Sequence, residues 1–196
     1  GAMGQVNARG SLRDLAIAAC ATPGPDTDAL LAQVRIMALR YARARLGRYG
    51  VEDAAQDVAQ EVCMAVLTAL PTFVDRGLPF EAFVYSIAAR KVADAQRLVM
   101  RTAAPMAQVP DRPDEQAGPE QCAVARDDAE HVMTHLAELP QAQREILILR
   151  VALGMSTEET AAALGMSTGA VRVAQHRALT TMRARVRDDG ESQGRP

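Results

Sequence analysis

The sequence predicts an all-α protein, two small helical domains joined by a flexible linker. Three observations carry this. Apolar residues recur every three to four positions in both halves, and no stretch alternates as a half-buried strand does. The 48% hydrophobic content comes with only 3% aromatics and no Trp, so Ala, Leu, Val and Met supply the apolar surface, a composition that favours helix. Between the halves, residues 101–126 carry Pro105, Pro110, Pro113 and Pro119 among Asp111, Asp114, Glu115 and Glu120. No apolar period survives there, and each proline breaks helix.

Taken in order, Gly1 to Gly4 (GAMG) reads as an expression scar, with residues 1–10 outside the fold. Ser11 to Ala21 predicts a short first helix. From Asp28 to Leu46, apolar residues at 30, 31, 34, 37, 38, 41 and 42 predict a second, punctuated by Gly47 and Gly50. Val51 to Leu70 repeats the pattern at 51, 54, 55, 58, 62, 66, 69 and 70. Pro71 to Pro79 is a loop, and Pro79 suits the first position of the next helix. That helix has Phe80, Phe83, Val84, Ile87, Ala88, Val92 and Ala95 as its apolar stripe. Residues 11–100 thus form a helical bundle.

After the acidic, Pro-rich linker over 101–126, a second domain spans residues 127–187. Asp127 to Glu138 and Pro140 to Leu153 predict two helices, the latter ended by Gly154. Ser156 and Glu159 have the spacing of a capping box that starts a third. Gly165 closes it in the left-handed conformation that glycine tolerates. Ser167 caps a fourth helix of about 30 Å at 1.5 Å per residue. Along it Val171, Ala174, Ala178 and Met182 face inward, with Arg172, His176 and Arg183 opposite. Ala161, Gly165 and Val171 occupy the small, turn and packing positions of a helix-turn-helix. Residues 188–196 read as a disordered polar tail.

The net charge of −2 gives no overall attraction to nucleic acid. Its distribution is uneven. Arg172, Arg177, Arg183, Arg185 and Arg187 lie between Ser167 and Arg187 with no acid, and Glu52, Asp53, Asp57 and Glu61 lie together with no base. A basic and an acidic stripe point to two different partners. Cys20, Cys63 and Cys122 are odd in number and far apart, which fits reduced thiols in a soluble cytoplasmic chain. No apolar run reaches the length of a membrane span, so no membrane insertion is expected. His131 and His135 stand four apart near Cys122, but HVMTH lacks the glutamate of a zinc protease and a third ligand nearby. With no phosphate loop, nucleophile elbow or paired carboxylates either, the chain reads as no enzyme, with no metal and no cofactor.

The residues that suggest partners lie in two groups. On the third helix Asp53, Asp57, Gln60, Glu61 and Met64 share the face opposite the apolar stripe. Then come Phe73, Asp75 and Arg76 in the loop, followed by Phe80, Phe83 and Tyr85, so four of the six aromatics fall between residues 73 and 85. Rings followed by Arg90, Lys91 and Arg97 suit single-stranded DNA, which offers unstacked bases and phosphates. Ordinary core packing is the competing account, stronger for Phe80 and Phe83 than for Phe73.

These residues, in this order, resemble a known family. DVAQEVC (Asp57 to Cys63) and PFEAFVYSIAARKVAD (Pro79 to Asp94) look like region 2 of bacterial sigma-70 factors. LPQAQREILILR (Leu139 to Arg150) and STEETAAALGMSTGAVRVAQHR (Ser156 to Arg177) look like region 4. The linker leaves no room for region 3 and no acidic region 1 precedes, a layout similar to the extracytoplasmic-function (ECF) group. GAVRVAQHRAL (Gly169 to Leu179) is especially like its SigD-type actinobacterial members. The resemblance implies a promoter-reading subunit of RNA polymerase. Asp53, Asp57, Gln60, Glu61 and Met64 would meet core polymerase at the β′ clamp helices, with the β flap as a further contact. The loop from Phe73 to Leu78, with Asp75 and Arg76, would hold a base flipped from the −10 element, and Phe83, Arg90, Lys91 and Asp94 would guide the melting strand. Ser167, Thr168, Arg172, Val173, Gln175, His176 and Arg177 would serve the −35 element. An anti-sigma factor is a further partner of such proteins. The chain departs from the common pattern at Cys63, Phe83, Arg90, Ala174 and Gln175, so no promoter sequence carries over. The alternative from the residues alone is a stand-alone helix-turn-helix regulator that dimerises through its N-terminal helices.

Overall fold

A computed structural model describes residues 11–47, 52–102, 129 and 131–193. All the regular structure among them is helical. The expected linker lies, apart from Arg101 and Thr102, outside the described residues, as do Gly50 and Cys122.

Four helices form the N-terminal bundle: α1 (Leu12–Ala21), α2 (Pro25–Leu46), α3 (Glu52–Ala69) and α4 (Phe80–Thr102). Ser11 caps α1, its hydroxyl accepting from the Asp14 amide at 3.2 Å. Helix α2 starts at Pro25, three residues before the period in the sequence, because proline at the first helical position loses no hydrogen bond. Conversely, α4 starts at Phe80 and Pro79 stands just outside it, its carbonyl accepting from Ala82 at 3.1 Å. A single 3-10 turn, Leu70–Thr72, leads into the loop before α4. The core of the bundle is Leu30, Val34, Met37, Ala38, Tyr41, Val58, Val62, Val66, Phe80, Val84 and Val92, with small alanines where helices approach.

The C-terminal unit holds α5 (residues 131–137), α6 (Gln141–Leu147), α7 (Thr157–Leu164) and α8 (Thr168–Gln193). The expected helix from Pro140 to Leu153 is α6 followed by a π-helical turn, Ile148–Ala152. Around α7 the capping is as the spacing predicts. Ser156 Oγ accepts from the Glu159 amide at 3.0 Å and the Glu159 carboxylate accepts from the Ser156 amide at 2.8 Å. Gly165 ends α7 at φ 63°, ψ 35°. Helix α8 has 26 residues, about 39 Å at 1.5 Å per residue, and runs to Gln193 through most of the expected disordered tail. Its far end is tied down: Asp189 Oδ2 meets His135 Nε2 at 2.5 Å, and Arg185 donates to the His135 carbonyl at 3.1 Å.

The two units share a core. Ile148, Leu149 and Met155 belong to the same buried cluster as the bundle's own residues, with Ala163 and Leu164 of α7 packed against it.

Candidate functional site

Helix α3 buries Ala55, Val58, Ala59, Val62 and Val66, so the residues between them face out. Asp53, Asp57, Gln60, Glu61 and Met64 are all exposed on that outer face. Met64 is 61% and Leu67 47% exposed, an apolar strip beside the acids. Leu31, Ala32 and Arg35 of α2 join Cys63, Met64 and Leu67 around an open groove of about 440 Å³. At the start of α3 the acid is already neutralised in part. Arg43 donates to Glu52 at 2.6 and 2.9 Å, and that guanidinium holds the Glu52 carboxyl below its ordinary range.

The loop before α4 is anchored at two points, Phe73 and Asp75. Phe73, half-buried, packs its ring 5.2 Å from Phe80 and 5.6 Å from Phe83, and Phe80 and Phe83 stand 5.3 Å apart. Phe80 is buried and serves the core, as ordinary packing predicts. Asp75 takes a bidentate contact from Arg13, 2.7 Å at the closest, and accepts from the Gly77 amide at 2.9 Å. Those hydrogen bonds hold its carboxyl below the usual range, the Arg13 contact foremost. Around these anchors Val74, Arg76, Gly77 and Leu78 are exposed. Nothing in the sequence pairs Arg13 with Asp75, 62 residues on. Along α4, Arg90 and Asp94 are exposed and Phe83 and Lys91 half-buried. Asp94 pairs with Arg97 one turn on, and Lys91 Nζ lies 3.3 Å from Glu61 Oε2.

In the helix-turn-helix, Ala161 and Val171 are buried against Ile146. This seats α8 with Arg172, Val173, His176 and Arg177 exposed on one side. Ser167 is exposed and its hydroxyl accepts from the Ala170 amide at 3.1 Å; Thr168 opens the helix half-buried. Gln175 differs from the others. It is half-buried and accepts from Arg150 Nε at 3.0 Å, so its amide braces the unit from within. Arg185 likewise leaves the basic stripe, bonded to Glu138 at 3.0 Å and to α5. His135 braces α5 against Asp189, and among the described residues no group of three or more His, Cys, Asp or Glu is placed to hold a metal.

Sequence reasoning missed one cluster entirely. Glu145 of α6, 5% exposed, accepts on Oε2 from Tyr41 Oη at 3.0 Å and Tyr85 Oη at 2.9 Å. Its Oε1 lies 3.1 Å from Arg45 Nε. The sequence predicted a helix from Pro140 to Leu153, but nothing in it showed that Glu145 on that helix is buried.

The family Sigma-70 region 2 matches residues 30–102, and the family Sigma-70, region 4 matches residues 130–182. The ECF RNA polymerase sigma factor ShbA of Streptomyces griseus is 54% identical over 164 residues, 81% of this chain and 86% of ShbA. The ECF RNA polymerase sigma factor SigD of Mycobacterium tuberculosis is 54% identical over 158 residues, 79% of this chain and 74% of SigD. Among solved structures, that of CnrH in complex with the cytosolic domain of CnrY aligns with a TM-score of 0.65 at 26% identity, covering 90% of this chain and 97% of CnrH.

Proposed function

The chain belongs to the sigma-70 family as an ECF RNA polymerase sigma factor, and we propose how its surfaces divide the work of promoter recognition. The exposed face of α3, with Asp53, Asp57, Gln60, Glu61 and Met64, docks on core polymerase: carboxylates meet the basic β′ clamp helices and the Met64–Leu67 strip fills the apolar part of the contact. Residues 127–187 make the second contact, at the β flap. The loop from Phe73 to Leu78, with Asp75 and Arg76, cradles one base flipped from the −10 element, and Phe83, Arg90, Lys91 and Asp94 line the path of the melting strand. Arg172, Val173, His176 and Arg177 enter the major groove at −35, with Ser167 and Thr168 at the helix N-terminus against phosphate and Gln175 orienting Arg150 behind them. The chemistry of RNA synthesis stays with the polymerase, so this chain is no enzyme and acts in the cytoplasm.

The observation that carries this reading is the pair of exposed faces of opposite charge, acid on α3 and arginine on α8, each set by burial of the opposite side of its helix. Family membership disfavours the stand-alone regulator. CnrH was solved with the cytosolic domain of CnrY, and that likeness supports an anti-sigma factor among this chain's partners. Transcription in vitro with purified core polymerase on a panel of promoters tests the whole. Promoter-specific transcripts that need both core and this chain are expected. Tight, specific operator binding by the chain alone would sink the proposal.

A further inference from the structure

Five consecutive residues, Glu145, Ile146, Leu147, Ile148 and Leu149, are buried. One helix face cannot do this; the segment must be enclosed from more than one side. Ile146 packs with Ala161 and Val171, and Leu147 with Leu139 and Ala178, inside the C-terminal unit. Ile148 and Leu149 turn the other way into the core of the bundle, and the π-helical turn begins at Ile148. Glu145 goes with them. Its three polar neighbours, Tyr41, Arg45 and Tyr85, all belong to α2 and α4. The two tyrosine rings meet edge to face at 5.5 Å, which sets both hydroxyls toward one point.

Two phenol donors and a guanidinium converging in a buried recess call for a carboxylate. We propose that Tyr41, Tyr85 and Arg45 form a carboxylate socket in the N-terminal bundle, and that Glu145 in this socket latches the C-terminal unit shut over α4. The closed chain is then its own inhibitor, a consequence that rests on the promoter-reading roles proposed above. Helix α7 lies against α4 in this state, its Ala163 and Leu164 packed on the bundle. Helices in contact stand about 8–10 Å apart, so α8, one helix further on, begins within about 20 Å of α4. Elements at −10 and −35 are separated by about 85 Å, at about 3.4 Å per base pair. A closed chain cannot span them.

The latch is built to release. Arg45 Nε and Glu145 Oε1 are close, yet neither completes a hydrogen bond and both are buried, so water regains part of what closure gives. At the same interface burial, and the Glu159 carboxylate of α7, push Glu81 of α4 above its ordinary pKa. Repulsion between the two units thus opposes the socket.

Hydrogen exchange on the full chain tests this. Glu145→Gln keeps the size of the side chain and removes its charge; Tyr41→Phe with Tyr85→Phe keeps both rings and removes both donors. Each variant is expected to speed amide exchange in residues 80–90 and 157–164 by about tenfold, the scale of one hydrogen bond to a charged group, while α1 is unchanged. Combining them is expected to add nothing, since they break one contact. Wild-type exchange in both variants overturns the latch. So does a rise shared equally by α1, which would make these residues holders of the whole fold. In transcription with core polymerase, the opened variants are expected to reach half-maximal output at about tenfold lower concentration. Opening without that gain overturns the inhibitory role. If the wild-type chain directs no promoter-specific transcription at all, the functional reading fails and exchange still decides the latch.

Discussion

Lys91 Nζ of α4 stands 3.3 Å from Glu61 Oε2 of α3, so one ion pair joins the helix read as DNA-facing to the face read as polymerase-facing. The two surfaces are continuous at this point. A partner that draws Glu61 away frees the Lys91 ammonium, and a partially exposed pair of this kind costs little to break.

This contact shapes the test of the acidic face. Reversing Glu61 also repels Lys91 and mixes two effects, whereas Asp57 is exposed on the outer face alone. Asp57→Arg is expected to weaken binding to core polymerase by at least about tenfold, ~1.4 kcal/mol, with thermal stability within about 0.5 kcal/mol of wild type. Adding Glu61→Arg should abolish co-purification with core. Retained binding in a normally folded double variant would remove α3 from the polymerase interface.

The two DNA surfaces should fail differently. Arg172→Ala is expected to cost on the order of 1–3 kcal/mol in promoter affinity and to relax preference at one or two −35 positions. Phe73→Ala should spare closed-complex binding and impair strand opening. Because Phe73 packs on Phe80 and Phe83, it should also lower the melting temperature. Phe73→Leu separates the two, restoring packing but not the aromatic face. A pre-melted promoter should rescue both Phe73 variants and leave Arg172→Ala defective; permanganate footprinting reads the outcome.

Loop order should depend on pH through Asp75. Its carboxyl is held below the ordinary range by the Arg13 hydrogen bonds and by the Gly77 amide. The sign follows: the contribution is present in full above the ordinary carboxylate pKa and is lost as pH falls through the lowered folded value. The Gly77 amide is expected to lose protection in that acid window, seen by NMR, and Asp75→Asn should erase the pH dependence. An Asp75→Asn chain with the wild-type profile would mean that another group controls the loop.

Cleavage between the units should not separate them. Ile148, Leu149 and Met155 lie in the bundle's own core cluster, an interface that does not need the intervening peptide. A protease site inserted within residues 103–128 and cut is expected to give two pieces that co-elute on gel filtration. Glu145→Gln should promote their separation. Independent elution of the cut wild-type pieces would show that the linker alone keeps the units together.

Much of this protein is local in origin and so was legible in its sequence. Helical periods at 30–42, 54–70 and 80–95 set which faces bury, and a face that buries leaves its opposite exposed; this is why Asp53, Asp57 and Glu61 emerge together. The capping box at Ser156 and Glu159 and the left-handed Gly165 need only neighbours within one turn, and both stand as the spacing requires. The ordering of motifs along the chain was enough to point to the family.

What only tertiary structure decided comes from contacts between distant segments. Arg13 meets Asp75 across 62 residues, Tyr41 meets Glu145 across 104, and Arg185 meets α5 across 50. Periodicity says that a residue is on a face and not what will cover that face. Glu145 went unremarked in the sequence and is buried, because the other domain brings two hydroxyls and a guanidinium to it. Gln175 read as one of the −35 residues, with no sign in the sequence that its side chain also accepts from Arg150, 25 residues before it. The end of α8 read as a disordered tail and is helical, because α5 holds it. In each case the side chain's own chemistry left several partners open, and packing of remote segments selected one.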